Sequence, residues 1–243
     1  MEVIAPTAGD AMIDWDGARY AEVSGLQRMV AEESIADLAL SGNERLLDVG
    51  CGDGFITMLL AERLPPDGSV VGVDPPSHRM IDRALARVPF DMLRVQFHVD
   101  NVLALPFEED FDIAVSFNAL HWVHEQGEAL RQIARSLVGG GRAVLQMVCA
   151  TERPSIEDVA MQVAADPRWS GSFEGFSAPY VHVEPSHFGD LAASRVHRRR
   201  PDGQRPVLAI RFDRRLPCVV RGWAPPIGRA GSPMRRSTGS SPR

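Results

Sequence analysis

The chain has 243 residues, with 26 basic and 32 acidic side chains and a formal net charge of −6. That is enough for one α/β domain with a sizeable core, and too acidic for a general nucleic-acid binder. Apolar residues at 44% and charged residues at 24% suit an ordinary globular domain, and no apolar stretch approaches membrane-spanning length.

Chain order begins with a helical period over Ala18–Leu40, in which Val23, Leu26, Met29, Val30 and Ile35 recur on one face. Arg45–Val49 is a short apolar run, predicted as a buried strand, and leads into the glycine loop Gly50–Gly54. Helical spacing resumes from Phe55 until Pro65-Pro66 stops it. Ser69–Val73 is the second predicted strand, followed by a helix that opens at Ser77 or Asp82 and runs to about Val88. Leu93–His98 and Phe111–Ser116 are the third and fourth strands; Glu125–Leu137 is helical, and Gly139-Gly140-Gly141 separates it from a fifth strand, Arg142–Val148. Strands alternating with helices of this length indicate a doubly wound, mainly parallel sheet with helices on both faces.

The glycine loop discriminates among cofactors. Glycines between a strand and a helix let a ligand approach the backbone and the free N–H groups of the helix start. A nicotinamide fingerprint G-x-G-x-x-G needs a third glycine where Phe55 stands, so an oxidoreductase of that type is disfavoured. Asp74 closes the second strand, where a carboxylate accepts hydrogen bonds from two ribose hydroxyls. Asp48, two residues before the loop, suits an ammonium group and would repel a pyrophosphate.

Leu46–Gly54 and Val70–Asp74 resemble the first two motifs of class I S-adenosylmethionine (SAM)-dependent methyltransferases. Asp100-Asn101, Phe111–Ser116 and Leu137–Arg142 resemble the motifs that follow. The resemblance implies a Rossmann-like fold with an N-terminal helix and a small insertion after the fifth strand. It also implies SAM as cofactor, lying across the ends of the first two strands. Asp48, Gly50, Cys51 and Gly52 would sit under its methionine part, Asp74 and Pro75 at the ribose, Asp100 and Asn101 at the adenine, and Ser116 toward the methyl donor. Cys51 reads as a small packing residue, since no neighbouring cation marks it as a nucleophile.

Within that class, Tyr20–Gln27 and Ala119–Val123 are similar to segments of trans-aconitate and juvenile hormone acid methyltransferases, and Asp166–Trp169 to the insertion found there. This implies a small carboxylic acid as acceptor, with Gln27 and Trp122 beside the methyl-transfer point and no obligatory base. If the acceptor is instead a phenol or amine, His121 is the candidate base. A SAM-binding module without activity is the competing reading. His121-x-x-His124 and His182-x₄-His187 lack the company of a metal site, so no metal is expected. The implied partner is a small molecule, with no nucleic acid or membrane, and the chain is expected to be a monomer or weak homodimer. Cys51, Cys149 and Cys218 stand far apart without C-x-x-C spacing, and the start lacks a secretory pattern, so the expected location is the cytoplasm.

Charge is divided unevenly. Every basic residue is arginine; residues 192–243 hold 13 of them against two acids, and residues 1–191 hold 13 against 30. The expected division is a methyltransferase domain over residues 1–191 and an Arg/Pro/Gly-rich segment over 192–243. Two readings fit that segment: an anion-binding arm for an acidic substrate or a nucleic acid, or, favoured by its composition, GC-rich DNA read out of frame. Strands are expected at Val207–Phe212 and Pro217–Val220, and poor order beyond about residue 213, leaving a sheet edge uncovered.

Overall fold

In the computed structural model, which describes residues 21–195 apart from Val23, Asp37, Pro76 and Ser77, together with 207–208, 210–212 and 220–222, the run Arg45–Val49 forms β1. Its side chains divide between two buried layers: Leu47 and Val49 face one cluster and Leu46 the other. This is the period of two required of a strand covered on both sides. β2 (Ser69–Asp74), β3 (Val95–Val99), β4 (Phe111–Phe117) and β5 (Leu137–Gln146) join it in parallel. The order is β3-β2-β1-β4-β5-β6, in which β6 (Val207–Leu208) pairs with Arg142 and Ala143 at the edge. Successive strands run outward from β1 on one side and from β4 on the other. A crevice therefore opens where the order reverses, at the carboxyl ends of β1 and β4.

Helices cover both faces. α1 (Gly25–Ala36) and α2 (Phe55–Arg63) pack Ile35 and Leu60 against Leu46 and Ile113. α3 (His78–Leu85) follows β2. On the opposite face α4 (Gln126–Ser136) and α6 (Pro185–Arg195) pack Ile133 and Phe188 against Leu47 and Leu145. α5 (Ile156–Ala164) starts in a capping box, with Ser155 and Asp158 each bonding the other's backbone N–H.

Several boundaries differ from those read in the sequence. The first helix is interrupted at Ser24, whose carbonyl accepts the N–H of Arg28 at 3.0 Å, and regular turns begin at Gly25. Glycine's weak helical preference accounts for the break; residues 18–20 lie outside the described residues. The third strand starts two residues late because Leu93 and Arg94 are in a turn. Gly139–Gly141 do not end an element. They lie within β5 as a bulge, since Phe111 pairs with Leu137 while Ile113 pairs with Arg142, and the chain takes up the surplus with Gly140 at φ 78°. The boundary at residue 191 falls inside α6, where Phe188 and Ala192 are both buried in the core.

Of the arginine-rich segment, the end of α6 and three short strands fall among the described residues. β6 is short, and Ile210–Phe212 (β7) and Val220–Gly222 (β8) pair antiparallel in a separate ribbon. The run expected as one strand at Val207–Phe212 is thus split between two sheets, and the later strand starts at Val220 and includes Arg221 and Gly222. The remaining expectations for residues beyond 213 lie outside the described residues.

Phe188 is 0% exposed and fastens α6 to the sheet. Phe188→Ala is expected to lower the unfolding free energy by about 3–5 kcal/mol, measured by urea denaturation. A loss below about 1 kcal/mol would mean that α6 is not part of the cooperative core.

Candidate active site

Leaving β1, the chain turns at once: the N–H groups of Gly50 and Cys51 both donate to the Val73 carbonyl, at 2.8 and 3.0 Å, fixing the loop to the end of β2. Gly50 adopts φ 75°, and a Cβ there would stand 2.2 Å from that of Ala119 in the turn after β4. Only glycine satisfies both conditions. Gly52, at φ 55°, donates its N–H to Asp74 Oδ2 at 2.9 Å, so the second-strand carboxylate sits directly on the loop.

An open cleft lies over this loop. Asp48 is at its floor, the Gly50–Gly52 loop and Asp53 form one side, Gln27 and Arg28 of α1 another, and Phe117 and Asn118 close the β4 end. Asp48 is 1% exposed and accepts the Thr57 hydroxyl at 2.6 Å. Burial pushes its carboxyl up to about 7 against that hydrogen bond, with Asp74 adding to the rise. Burial likewise raises Asp74 to about 6, opposed by the Gly52 N–H. Two carboxyls held near neutrality by desolvation favour a cation above them. Cys51 is buried, and burial reinforced by Asp48 and Asp74 holds its thiol protonated.

Asp53 accepts two guanidinium groups on one oxygen, Arg28 Nη2 at 2.8 Å and Arg87 Nη2 at 2.5 Å, while Arg87 Nε donates to its carbonyl at 2.7 Å. The Arg28 guanidinium also lies 4.2 Å from the centre of the Phe55 ring. Two cations on one anion leave positive charge on the α1 side of the cleft, opposite the acidic floor. Gln27 Oε1 is buried on the same wall without a hydrogen-bond partner.

The remaining expected residues separate into those brought to the site and those spent elsewhere. The Asp100 N–H donates to the Asp74 carbonyl at 3.0 Å, which sets both acids along the ends of β2 and β3; Pro75 is exposed beside them. Asn101 uses Oδ1 to cap the turn at Val102–Ala104, accepting from Leu103 N–H at 2.9 Å. Ser116 is fully buried and donates its hydroxyl to the Val49 carbonyl at 2.8 Å. It ties β4 to β1 and does not face the cleft; Phe117 and Asn118 reach it instead. His121 is 2% exposed, and burial together with His182 holds its imidazole down at about 3. A ring so placed stays neutral, buried against His182. Trp122 is half-buried, with Tyr180 edge-on at 6.0 Å. Among the described residues no three His, Cys, Asp or Glu side chains converge as a metal site, and no helix is long and apolar enough to cross a membrane.

Arg28, Asp53, Phe117 and Asn118 were not singled out from the sequence. The one local cue was Asn118, an asparagine directly after a strand and able to take φ 54°.

Residues 46–141 match the family described as a methyltransferase domain. The chain is 30% identical to the trans-aconitate 2-methyltransferase of Methylobacterium nodulans over 172 residues, covering 71% of this chain and 64% of that protein. The chain thus spans less than two thirds of that relative. Among solved structures, the methyltransferase bound to the Haloferax volcanii Trm112 activator superposes with a TM-score of 0.61 at 20% identity, covering 74% of this chain and 72% of that one. A geranyl diphosphate methyltransferase in complex with GPP and sinefungin gives 0.58 at 20% identity, covering 81% and 65%. Residues 46–141 thus match a methyltransferase domain, on the fold shared by these solved methyltransferases. In sequence the chain is similar to the trans-aconitate 2-methyltransferases.

Because the Asp48 carboxyl is raised when folded, the native state holds a proton that the unfolded chain releases as pH rises from about 4 to about 7. The group therefore costs stability above that window. Asp48→Asn is expected to stabilise the free protein at pH 8 by on the order of 2–4 kcal/mol, with a smaller gain at pH 5, by urea denaturation at both values. The same substitution is expected to weaken SAM binding, read by calorimetry.

Proposed function

We propose that this protein transfers the methyl group of SAM to a carboxylate oxygen of a small organic acid. The observation that carries this reading is the division of charge in the cleft between a buried acidic floor and a guanidinium-bearing wall. SAM combines an α-ammonium, an α-carboxylate and a sulfonium, and these residues fit it. In this reading Asp48 lies toward the ammonium, Arg28 toward the carboxylate, Asp74 bonds the ribose hydroxyls and Asp100 the adenine amine. Gly52 leaves room above the loop, since a Cβ there would meet only the Met80 methyl, at 3.9 Å. When bound, SAM supplies an electrophilic methyl group.

The ionisable groups lining the cleft favour a carboxylate acceptor over a phenol or amine. Asp53 is held by two arginines, Cys51 stays protonated, and Asp48 is bonded to Thr57 at the floor. Of these, Asp53 and Cys51 are spent as bases, and in this reading Asp48 is committed to the ammonium group. A carboxylate is already ionised at neutral pH, so the protein's task is to orient it and exclude water. The resemblance puts Trp122 beside the acceptor; its ring packs on His121 and Tyr180, outside the residues that line the cleft. Similarity to the trans-aconitate 2-methyltransferases supports the same acceptor class.

Purified protein is to be incubated with SAM and a panel of trans-aconitate, citrate, benzoate and hexanoate, with separate panels of phenols and amines, following S-adenosylhomocysteine and methylated product by mass spectrometry. Ester formation is the expected result. Methylation of phenols or amines alone overturns the acceptor class, and SAM binding without turnover of any panel makes the chain a binding module. Asp74→Ala is expected to weaken SAM binding by about 1–3 kcal/mol. Trp122→Ala is expected to reduce ester formation about tenfold or more while SAM affinity changes less than about threefold.

A further inference from the structure

Asn118 occupies the last corner of the cleft, at the carboxyl end of β4, and holds a backbone conformation that side-chain-bearing residues rarely take, with φ 54°. Its neighbours dictate this turn. The Asn118 N–H donates to the Gln146 carbonyl at 2.8 Å, ending the β4–β5 ladder, while Ala119 is wedged against the bare face of Gly50. Turning in the left-handed region between these two fixed points places residue 118 on the cleft wall. Glycine would satisfy the backbone more easily, so an asparagine here keeps a side chain at some conformational cost. Gln27, across the loop on α1, lines the same cleft with a buried terminal amide oxygen that has no partner.

We infer that Asn118 is a specificity-determining residue that donates an amide N–H to the acceptor's carboxylate, paired with Gln27; this rests on the carboxylate reading given above. Rotation of a terminal amide exchanges its oxygen and nitrogen, so both side chains present N–H donors to an anion. Neutral donors suit this role. A guanidinium paired with the attacking oxygen would hold its charge and blunt it, whereas two amides orient the two oxygens and leave the negative charge available. Arg28, the cleft cation, is already held by Asp53. The carboxylate oxygen forms its bond to the methyl carbon as the carbon–sulfur bond breaks. The electron pair leaves with sulfur, giving an ester and a neutral thioether with no proton moved.

The test uses two substitutions with opposite demands. Asn118→Gly removes the amide but suits the left-handed turn, so it is expected to keep or raise the melting temperature. It should keep SAM affinity and lower kcat/KM for the turned-over acid by about 10- to 100-fold. Asn118→Asp preserves shape but sets a negative charge against the acceptor, and is expected to lower kcat/KM further, chiefly through KM. The readouts are ester formation over the acid panel, calorimetric SAM affinity and thermal unfolding. If the wild type forms esters and both variants match it within about twofold, the assignment of Asn118 is overturned and the carboxylate reading stands. If both variants lose SAM affinity as much as turnover, Asn118 serves the donor and the inference is again overturned. A wild type that esterifies none of the acids overturns the carboxylate reading and the inference with it.

Discussion

Gly50 and Ala119 belong to opposite halves of the sheet, one leaving β1 and the other following β4, and they meet with no room for a side chain at position 50. That contact closes the gap where the strand order reverses. It lets the loop lie flat over the ends of β1 and β2, where Val73 and Asp74 hold it through three backbone N–H groups. The floor, the loop and the β4 wall of the cleft all take their positions from this one close approach. A methyl group added there would have to separate the two halves, which interior packing density does not permit cheaply.

Electrostatics then divides the space so formed. Asp48 shares the face of β1 that carries Leu46, so it is carried under α2 and loses its water. Thr57, at the start of α2, supplies the one hydrogen bond that makes this tolerable. Stability and ligand affinity pull in opposite directions at this residue, the pattern expected where a buried charge is retained for binding. On the far wall the arginines serve a double purpose, since Arg28 both faces the cleft and anchors α1 to the loop.

What the sequence disclosed was local. Glycine spacing, Asp48 and Asp74 stand within a few residues of the turns they serve, so position along the chain stood for position in space. The place of Ser116 inside its motif does not disclose where its hydroxyl points. The hydroxyl of 116 goes to Val49, and the residues after it open into the cleft. His121 shows the same limit, since nothing in Leu-His-Trp reveals that its ring is buried beside His182 at 5.8 Å. The Arg28–Asp53–Arg87 cluster joins residues 25 and 34 positions apart, which no single-segment pattern encodes. The start of α5 is legible in Ser155-x-x-Asp158, whose two side chains cap each other's backbone. Three consecutive glycines read as a break because a bulge and a loop make the same local demand, and only pairing with β4 distinguishes them.

α1 differs from the other walls of the site in how it is held. Among the described side chains, Ala31 and Ile35 pack α1 against the sheet, and its polar ties are Arg28 to Asp53, Ser34 Oγ to Gln146 Oε1 at 2.8 Å, and the Arg142 guanidinium to the Ala39 carbonyl just beyond it. Two of those three ties end on β5, the strand along whose outer edge β6 pairs with Arg142 and Ala143. Amide exchange in α1 therefore reports on the far edge of the sheet as well as on the cleft, and slower exchange there is the signature of a ligand bridging the helix to the floor.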